Sequence, residues 1–348
     1  MVNNILVTGG LGFVGSHTCA KLIEKGHNIY ILDSLDNSSI KVLKNLEQIQ
    51  SIFKKSGKGF IKFFKGDIRD SNLLDKIFKY SKFIDFSIDY VFHFAGLKSV
   101  YESTILPETY FDVNVMGTKI LINIMDKNNC KNLVFSSSAT IYGDTGVRII
   151  DENFKINPLN NYGKTKVIAE EALYKKFSTN EDWRIIILRY FNPIGAHKSG
   201  LIGEESNVKF SNLFPLLCKV ANREIINLKI FGKDWDTRDG TCIRDFIHIM
   251  DIAEGHLAAL DYMHKNNPNF IPINLGTSNG TTILELIKTF EKSTNKKINY
   301  IYSERREGDV ASYVASNSKA MKYLSWSPSF KLNEMCVDGW NWYLKNKS

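Results

Sequence analysis

The hexapeptide NYGKTK at residues 161–166 sets a phenol and an ammonium, Tyr162 and Lys166, four positions apart. On a helix, positions i and i+4 share a face, so both side chains would point the same way. A phenol held beside a cation can give up its proton near neutral pH and serve as a general base. The same two residues on a solvated helix would mean nothing more than solubility. Tyrosine titrates at ~10, so reaching neutrality takes roughly 4 kcal/mol. One ammonium about 4 Å away at an effective dielectric of 20 supplies ~4 kcal/mol. A helix N-terminus or a positively charged cofactor ring adds in the same direction. A third candidate, Ser138, closes the apolar run NLVFSSSA, 24 residues before Tyr162. As a strand of a parallel sheet, that run would deliver the serine to the crevice where such folds do their chemistry.

A second group lies near the start of the chain. Gly9, Gly12 and Gly15 fall in VTGGLGFVG, directly after an apolar run and at the opening of a helical one. Glycines there let the backbone turn tightly and approach a pyrophosphate, which the helix N-terminus then favours electrostatically. The spacing is GxxGxxG, and a plain turn would use the same residues. The next apolar run ends in ILDS, placing Asp33 18 residues beyond Gly15. A carboxylate there can accept hydrogen bonds from an adenosine ribose and would repel a 2′-phosphate, which favours NAD over NADP. It can also be a simple strand-end cap.

Positioning these groups requires a sheet. Residues 4–9, 28–33, 60–67, 90–96, 132–139 and 184–192 each read as a buried strand, separated by amphipathic stretches such as SHTCAKLIEKG, SNLLDKIFKY, VNVMGTKILINIMDKNN and KVIAEEALYKKF. This alternation predicts an α/β fold, a Rossmann-type doubly wound parallel sheet covered on both faces. A turn-rich stretch from Pro193 to Thr241 breaks the rhythm, before a helical run at 247–263 and a strand at 272–277. The expected division is a dinucleotide-binding domain over 1–192, rejoined by 246–277, and a smaller mixed α/β substrate-binding lobe over 193–348.

Bulk properties exclude several classes. With 43% hydrophobic and 24% charged residues, the chain reads as an ordinary globular protein. No apolar run is long enough to span a membrane. The first strand begins too early to leave room for a signal peptide, so a cytoplasmic location is expected. Five scattered cysteines form no CxxC pair, which suggests reduced packing residues and no metal site. The formal charge of +8 is spread along the chain, with no basic and aromatic surface for nucleic acid. Its densest stretch, KKSGKGFIKFFK (54–65), reads as a solvated loop leading into a strand.

The stretches LVTGGLGFVGSHTC, GDIRD, VFHFAGLKSVYES, FSSSATIYGD, NYGKTK, LRYFNPIGAHKSG, DGTCIRDFIH and RREGDVASY occur in this order. Together they resemble the extended short-chain dehydrogenase/reductase family, and within it the branch that epimerises UDP-hexoses at C4. The resemblance runs from about residue 3 to about residue 343. Besides the glycine loop, it implies NAD contacts from Phe13, Val14, Asp33, Asp67, Ile68, Phe94, Ala95, Gly96, Lys98, Asn114, Ser136 and Tyr190. It assigns Tyr162 as base and acid at the sugar O4, Ser138 as a hydrogen-bonding partner of that oxygen, and Lys166 as a contact of the nicotinamide ribose. The implied reaction interconverts UDP-galactose and UDP-glucose through a 4-keto sugar, which rotates before hydride returns to the opposite face.

A diphosphate calls for planar guanidinium forks. The resemblance places Arg244 and Arg306 there, although taken alone Arg244–Asp245 and Arg305–Glu307 would read as ordinary surface charge pairs. It further implies substrate contacts from Asn192, Asn212, Phe231 and Asp309. The resemblance places Tyr313 at a position whose size limits the hexose pocket in this family, and a bulky ring there should crowd out a 2-N-acetyl group, so poor activity on UDP-N-acetylhexosamines is expected. A homodimer through the helices near 110–126 and 162–177 is implied as well. Two rivals are a nucleotide-sugar 4,6-dehydratase, which would need an Asp–Glu pair where this chain has SSSAT, and a non-catalytic NAD-binding regulator.

Overall fold

The computed structural model describes residues 2–53, 59–146, 149–205, 212–306 and 308–346. Chain order opens with β1 (Asn4–Thr8), α1 (Phe13–Glu24), β2 (Asn28–Asp33), α2 (Ile40–Phe53), β3 (Ile61–Lys65), α3 (Ser71–Phe83) and β4 (Tyr90–His93). Two short helices follow, α4 (Val100–Ile105) and α5 (Pro107–Phe111). A π-helical turn over Asp112–Met116 then runs into α6 (Gly117–Lys127). Next come β5 (Asn132–Ser138), a 3₁₀ turn over Ala139–Ile141, α7 (Asn161–Thr179), β6 (Arg184–Tyr190) and β7 (Asn192–Ile194). The remainder comprises α8 (Leu213–Ala221), β8 (Leu228–Phe231), β9 (Ile243–Arg244), β10 (Phe246–His248), α9 (Ile249–Asn266), β11 (Phe270–Leu275), β12 (Thr281–Thr282), α10 (Ile283–Thr294), β13 (Tyr300–Ser303), β14 (Ser312–Tyr313), α11 (Ser318–Leu324) and α12 (Leu332–Asn346).

Seven of the strands form one sheet in the order β11-β6-β5-β4-β1-β2-β3, with every pairing parallel. Strands β1, β2, β4 and β6 are continuous apolar runs because helices cover both faces. One face packs Ile5, Val7, Ile29 and Ile31 against α1, α2 and α9. The other packs Leu6, Tyr30, Leu32 and Val91 against α3, α6 and α7. A third apolar cluster lies between α8, α10, α12 and β8. The strand order reverses between β1 and β4, and the crevice beyond their C-terminal ends is where ligands of such folds bind.

Three expectations need correction. Strand β3, read as buried, is an edge strand with Lys62 and Lys65 exposed. Lysines there suit an edge, where they discourage pairing with another chain. Helix α2 was not among the expected elements. The helical stretch from 113 begins as a π turn, which the apolar periodicity does not register. Within the Lys-rich stretch 54–65, residues 54–58 lie outside the described residues. All five cysteines are buried free thiols. No helix among the described residues is long and apolar enough to cross a membrane.

Candidate active site

The glycine loop is built by close backbone approach. Gly9 adopts φ +69°, and a Cβ there would sit 2.6 Å from the Ala95 nitrogen at the end of β4. A Cβ on Gly15 would sit 2.2 Å from the Gly9 carbonyl oxygen. Gly12 is the N-cap of α1; no side chain caps this terminus and no acidic residue occupies its first turn. Its leading N–H groups are therefore available to an anion, as a dinucleotide pyrophosphate requires. Overpacking of this kind costs about 1–3 kcal/mol. Gly15→Ala should accordingly lower the thermal unfolding midpoint and weaken dinucleotide binding. A variant that melts and binds like the parent would contradict the loop geometry.

Asp33 ends β2 with 6% exposure and ties the loop together. Its carboxylate accepts from Leu11 N (2.9 Å), Leu35 N (3.0 Å) and the Ser38 hydroxyl (2.7 Å). A carboxylate has about four lone-pair sites, so three are already engaged. The strand-end cap and the ribose contact are thus not alternatives: Asp33 caps first, and a ribose would have to share it or displace Ser38.

The catalytic candidates converge. Ser138 is the last residue of β5 and receives the Thr140 hydroxyl at 3.0 Å. Helix α7 is capped by Asn160, whose side chain accepts from Gly163 N at 2.8 Å. The Ser103 hydroxyl accepts Tyr162 N at 3.1 Å, so the first turn of α7 is pinned from α4. The Ser138 hydroxyl lies near enough to the Tyr162 phenol to lower its pKa. The Lys166 ammonium lies 5.9 Å from the Tyr162 ring centre and 5.0 Å from that of Phe135, and it donates to the Ser136 carbonyl at 2.8 Å.

The protein's own groups do not bring the phenol toward neutrality. Burial pushes the Tyr162 phenol up to about 12, and the Ser138 contact only partly reverses it. Lys166 is itself desolvated, which brings its pKa down to about 8, while Glu170 pulls it back up. The lysine alone does not offset the burial of the phenol.

Around this centre, Tyr190 at the end of β6 meets His256 Nε2 at 2.7 Å, and Phe94 packs on the same imidazole at 4.8 Å between ring centres. His256 Nδ1 lies 2.9 Å from the Ile252 carbonyl, and burial lowers the ring's pKa to about 4. The ring is therefore neutral, donating through Nδ1 and accepting the Tyr190 hydroxyl. Asn114, in the π turn, accepts from Leu97 N (2.7 Å) and donates to Leu97 O and the Thr165 hydroxyl (both 3.0 Å). It staples the segment after β4 to α7. Gly96 beside it leaves no room for a Cβ, which would stand 2.9 Å from Asn114 Oδ1.

Other expected cofactor contacts are engaged within the protein. Asp67 is held by Arg69 through Nε (2.9 Å) and Nη2 (2.6 Å), which lowers its pKa. Ile68 packs against Gly117. Lys98 pairs with Glu204 at 2.9 Å and lies 5.7 Å from the centre of the Phe13 ring. Val14 belongs to the packing against the β1 face.

The arginines gather on a separate wall. Arg244 on β9 donates to the carbonyls of Ile243 (2.8 Å) and Val310 (2.9 Å) and lies 3.5 Å from Asp309. Arg306 stacks on the Phe231 ring at 3.7 Å and lies 3.9 Å from the same carboxylate. Arg244 does not form a surface pair with Asp245, which is buried and accepts from Thr277, Ser278 and Ala315. Arg305 pairs with Asp234 at 3.0 Å, and Glu307 lies outside the described residues. Tyr313 joins this wall to the catalytic centre: it is paired with Arg244 in the β14–β9 register, and its hydroxyl donates to the Ala139 carbonyl at 2.5 Å. Asn192 opens β7, half-buried. Asn212 donates to Glu204 at 2.6 Å, so one carboxylate links it to Lys98. Sequence reasoning missed Glu170, Arg189, Glu204 and Thr165; only Glu170, at i+4 from Lys166, had a signal in the spacing.

Relatives narrow what such a site belongs to. A family model described as GDP-mannose 4,6 dehydratase matches residues 6–338. A UDP-glucose 4-epimerase of Pisum sativum is 43% identical over 343 residues, 98% of this chain and 96% of the relative. The chain belongs to the UDP-glucose 4-epimerase family. Within that family, the enzyme of Bifidobacterium longum, solved in complex with NAD+ and UDP, superposes with a TM-score of 0.91 at 40% identity, covering 99% of both chains. The epimerase of Stenotrophomonas maltophila, with bound NAD and formylated UDP-arabinopyranose, gives a TM-score of 0.93 at 38% identity, covering 99% of this chain and 98% of that one. An epimerase-family fold therefore accounts for nearly the whole chain.

Proposed function

We propose that this chain interconverts UDP-galactose and UDP-glucose, with NAD as its resident cofactor. The observation that carries the reading is the convergence of Ser138, Tyr162 and Lys166 at the C-terminal edge of a parallel sheet, with the bare α1 N-terminus opening at the same edge. The seven-stranded sheet would hold the dinucleotide, through the glycine loop, Asp33, Lys98 and Asn114. The wall of Arg244, Arg306, Phe231 and Asp309 would hold the UDP, with Asn192 and Asn212 between the two. Bound NAD supplies the reversible oxidation at C4. Tyr162 takes the O4 proton and later returns it, Ser138 orients that oxygen, and Lys166 keeps positive charge beside the phenol. Anchoring at the nucleotide leaves the hexose free to turn between the two halves of the cycle.

The dehydratase description of the family model suggests a rival, but Ser138 is followed by Ala139 and Thr140, and elimination of water would lack its acid. Incubation with UDP-galactose and no added NAD decides the matter. UDP-glucose without accumulating NADH is expected, whereas a 4-keto-6-deoxy product would select the dehydratase. The Tyr313 ring is pinned by its bond to Ala139 and by packing on Phe191 at 5.7 Å between ring centres. UDP-N-acetylglucosamine should consequently turn over slowly, and Tyr313→Gly should raise its rate relative to UDP-glucose. Equal rates on both sugars in the parent protein would refute the steric argument. Exposed Ile105, Leu106, Phe111, Met116 and Tyr174 lie along α4 to α7 and support the homodimer. A cytoplasmic location completes the reading.

A further inference from the structure

Three consecutive residues of β5 are matched to three successive turns of one face of α7. Ser138 is near enough to Tyr162 to act on its phenol, the Ser136 carbonyl accepts Lys166 at 2.8 Å, and the Ser137 hydroxyl donates to Glu170 at 2.5 Å. Tyr162, Lys166 and Glu170 are spaced i, i+4, i+8, so they form one stripe. The third rung is the most buried: Ser137, Glu170 and Arg189 are 1%, 5% and 4% exposed. Arg189 stands directly opposite Ser137 in the β5–β6 register and grips Glu170 through Nε (3.1 Å) and Nη2 (2.6 Å). Its Nη1 donates to the Tyr142 hydroxyl at 2.9 Å, which donates to Asn274 on β11 at 2.7 Å. The Ser137, Glu170, Arg189, Tyr142 and Asn274 side chains of this network all have partners, and such a network is rigid where a half-satisfied one would not be.

We propose that Glu170 is the positioning residue of the site: through Ser137 it fixes the strand end that presents Ser138, and through its charge it keeps Lys166 an ammonium. The inference rests on the epimerase reading of the Ser138–Tyr162–Lys166 centre. A buried carboxylate one turn away favours the charged lysine against its desolvation, which agrees with the opposing influences on Lys166. The titratable groups facing Lys166 are Tyr162 and Glu170 on its own helix and His93 on β4. Arg189 and Tyr190 stand behind them on β6. His93 is buried between Thr8 and Thr118 with its pKa lowered to about 3. It is neutral throughout the working range, which leaves Glu170 as the anion that matters.

The test separates charge from clamp. Glu170→Gln should move the alkaline limb of the kcat–pH profile to lower pH by about one unit, since the active form needs the ammonium. The lysine titration, followed by NMR of isotope-labelled lysine ε-carbons and assigned with Lys166→Met, should shift with it. Glu170→Asp should restore most of the limb. Ser137→Ala should lower kcat about tenfold at every pH without moving the limb. An alkaline limb and a lysine midpoint that stay at the parent position in Glu170→Gln overturn the proposal, whatever happens to kcat. Should the orphaned Arg189 prevent folding, the comparison is made in an Arg189→Met background, where a lysine midpoint that Glu170→Gln does not lower overturns it equally. A parent protein that fails to epimerise at all sinks the epimerase reading instead, and the NMR titration still decides the role of Glu170.

Discussion

Tyr162→Phe should reduce turnover of UDP-galactose by about three orders of magnitude, the range expected when a general acid–base group is removed. It should leave folding intact, because the phenol oxygen makes no bond that holds the backbone; the first turn of α7 is held by Asn160 and Ser103. The effect should fall on kcat, with KM nearly unchanged, since the lost interaction is made in the transition state. Lowering the phenol from about 12 to neutrality takes roughly 7 kcal/mol, and one ammonium at about 4 Å supplies only ~4 kcal/mol. The remainder must come from charge that arrives with the ligands. Titration of the phenol by ultraviolet difference spectra, with and without bound cofactor, should therefore show a lower midpoint in the bound state. An unchanged midpoint, or a phenylalanine variant with full activity, would dismantle this account.

Arg244→Ala should raise KM for UDP-galactose roughly a hundredfold while kcat falls far less. Truncating one member of a buried charge contact costs about 2–5 kcal/mol, and a diphosphate held equally in ground and transition states acts on KM alone. Arg244 is preset for this role. Two neighbouring carbonyls fix its guanidinium, and its side chain is only 17% exposed. Arg306→Ala should cost less, because that side chain is 63% exposed and much of its hold is stacking on Phe231. Arg244→Lys should recover little, since an ammonium lacks the planar fork. A KM unchanged in Arg244→Ala, in protein with the parent melting temperature, would place the diphosphate elsewhere.

Much of the scaffold was legible in the residues. Apolar runs on both faces, glycines after the first strand and an acidic residue closing the second follow from local constraints: covered strands must be apolar, and close backbone approach excludes a Cβ. The i, i+4 spacing of Tyr162 and Lys166 needs only a helix. Where the reading failed, the cause was non-local. Lys62 and Lys65 mark an edge that can be recognised only once the strand order is known. The π turn at 112–116 carries Asn114, which bonds to both Leu97 and Thr165, on segments far apart in the chain.

By itself the sequence determined the fold class, the close-packed glycine loop and the i, i+4 pairing of the two helix residues proposed to react, because these depend on short-range spacing and on what a backbone can tolerate. Tertiary structure alone decided the protonation balance of those side chains and what supports them. Burial raised the phenol and depressed the lysine, and Glu170 and Arg189 met as an ion pair across α7 and β6. It also set Arg244 beside Asp309 and turned Tyr313 onto the end of β5. Desolvation and long-range pairing are properties of the packed molecule: they depend on which surfaces exclude water together, and no local window of residues encodes that.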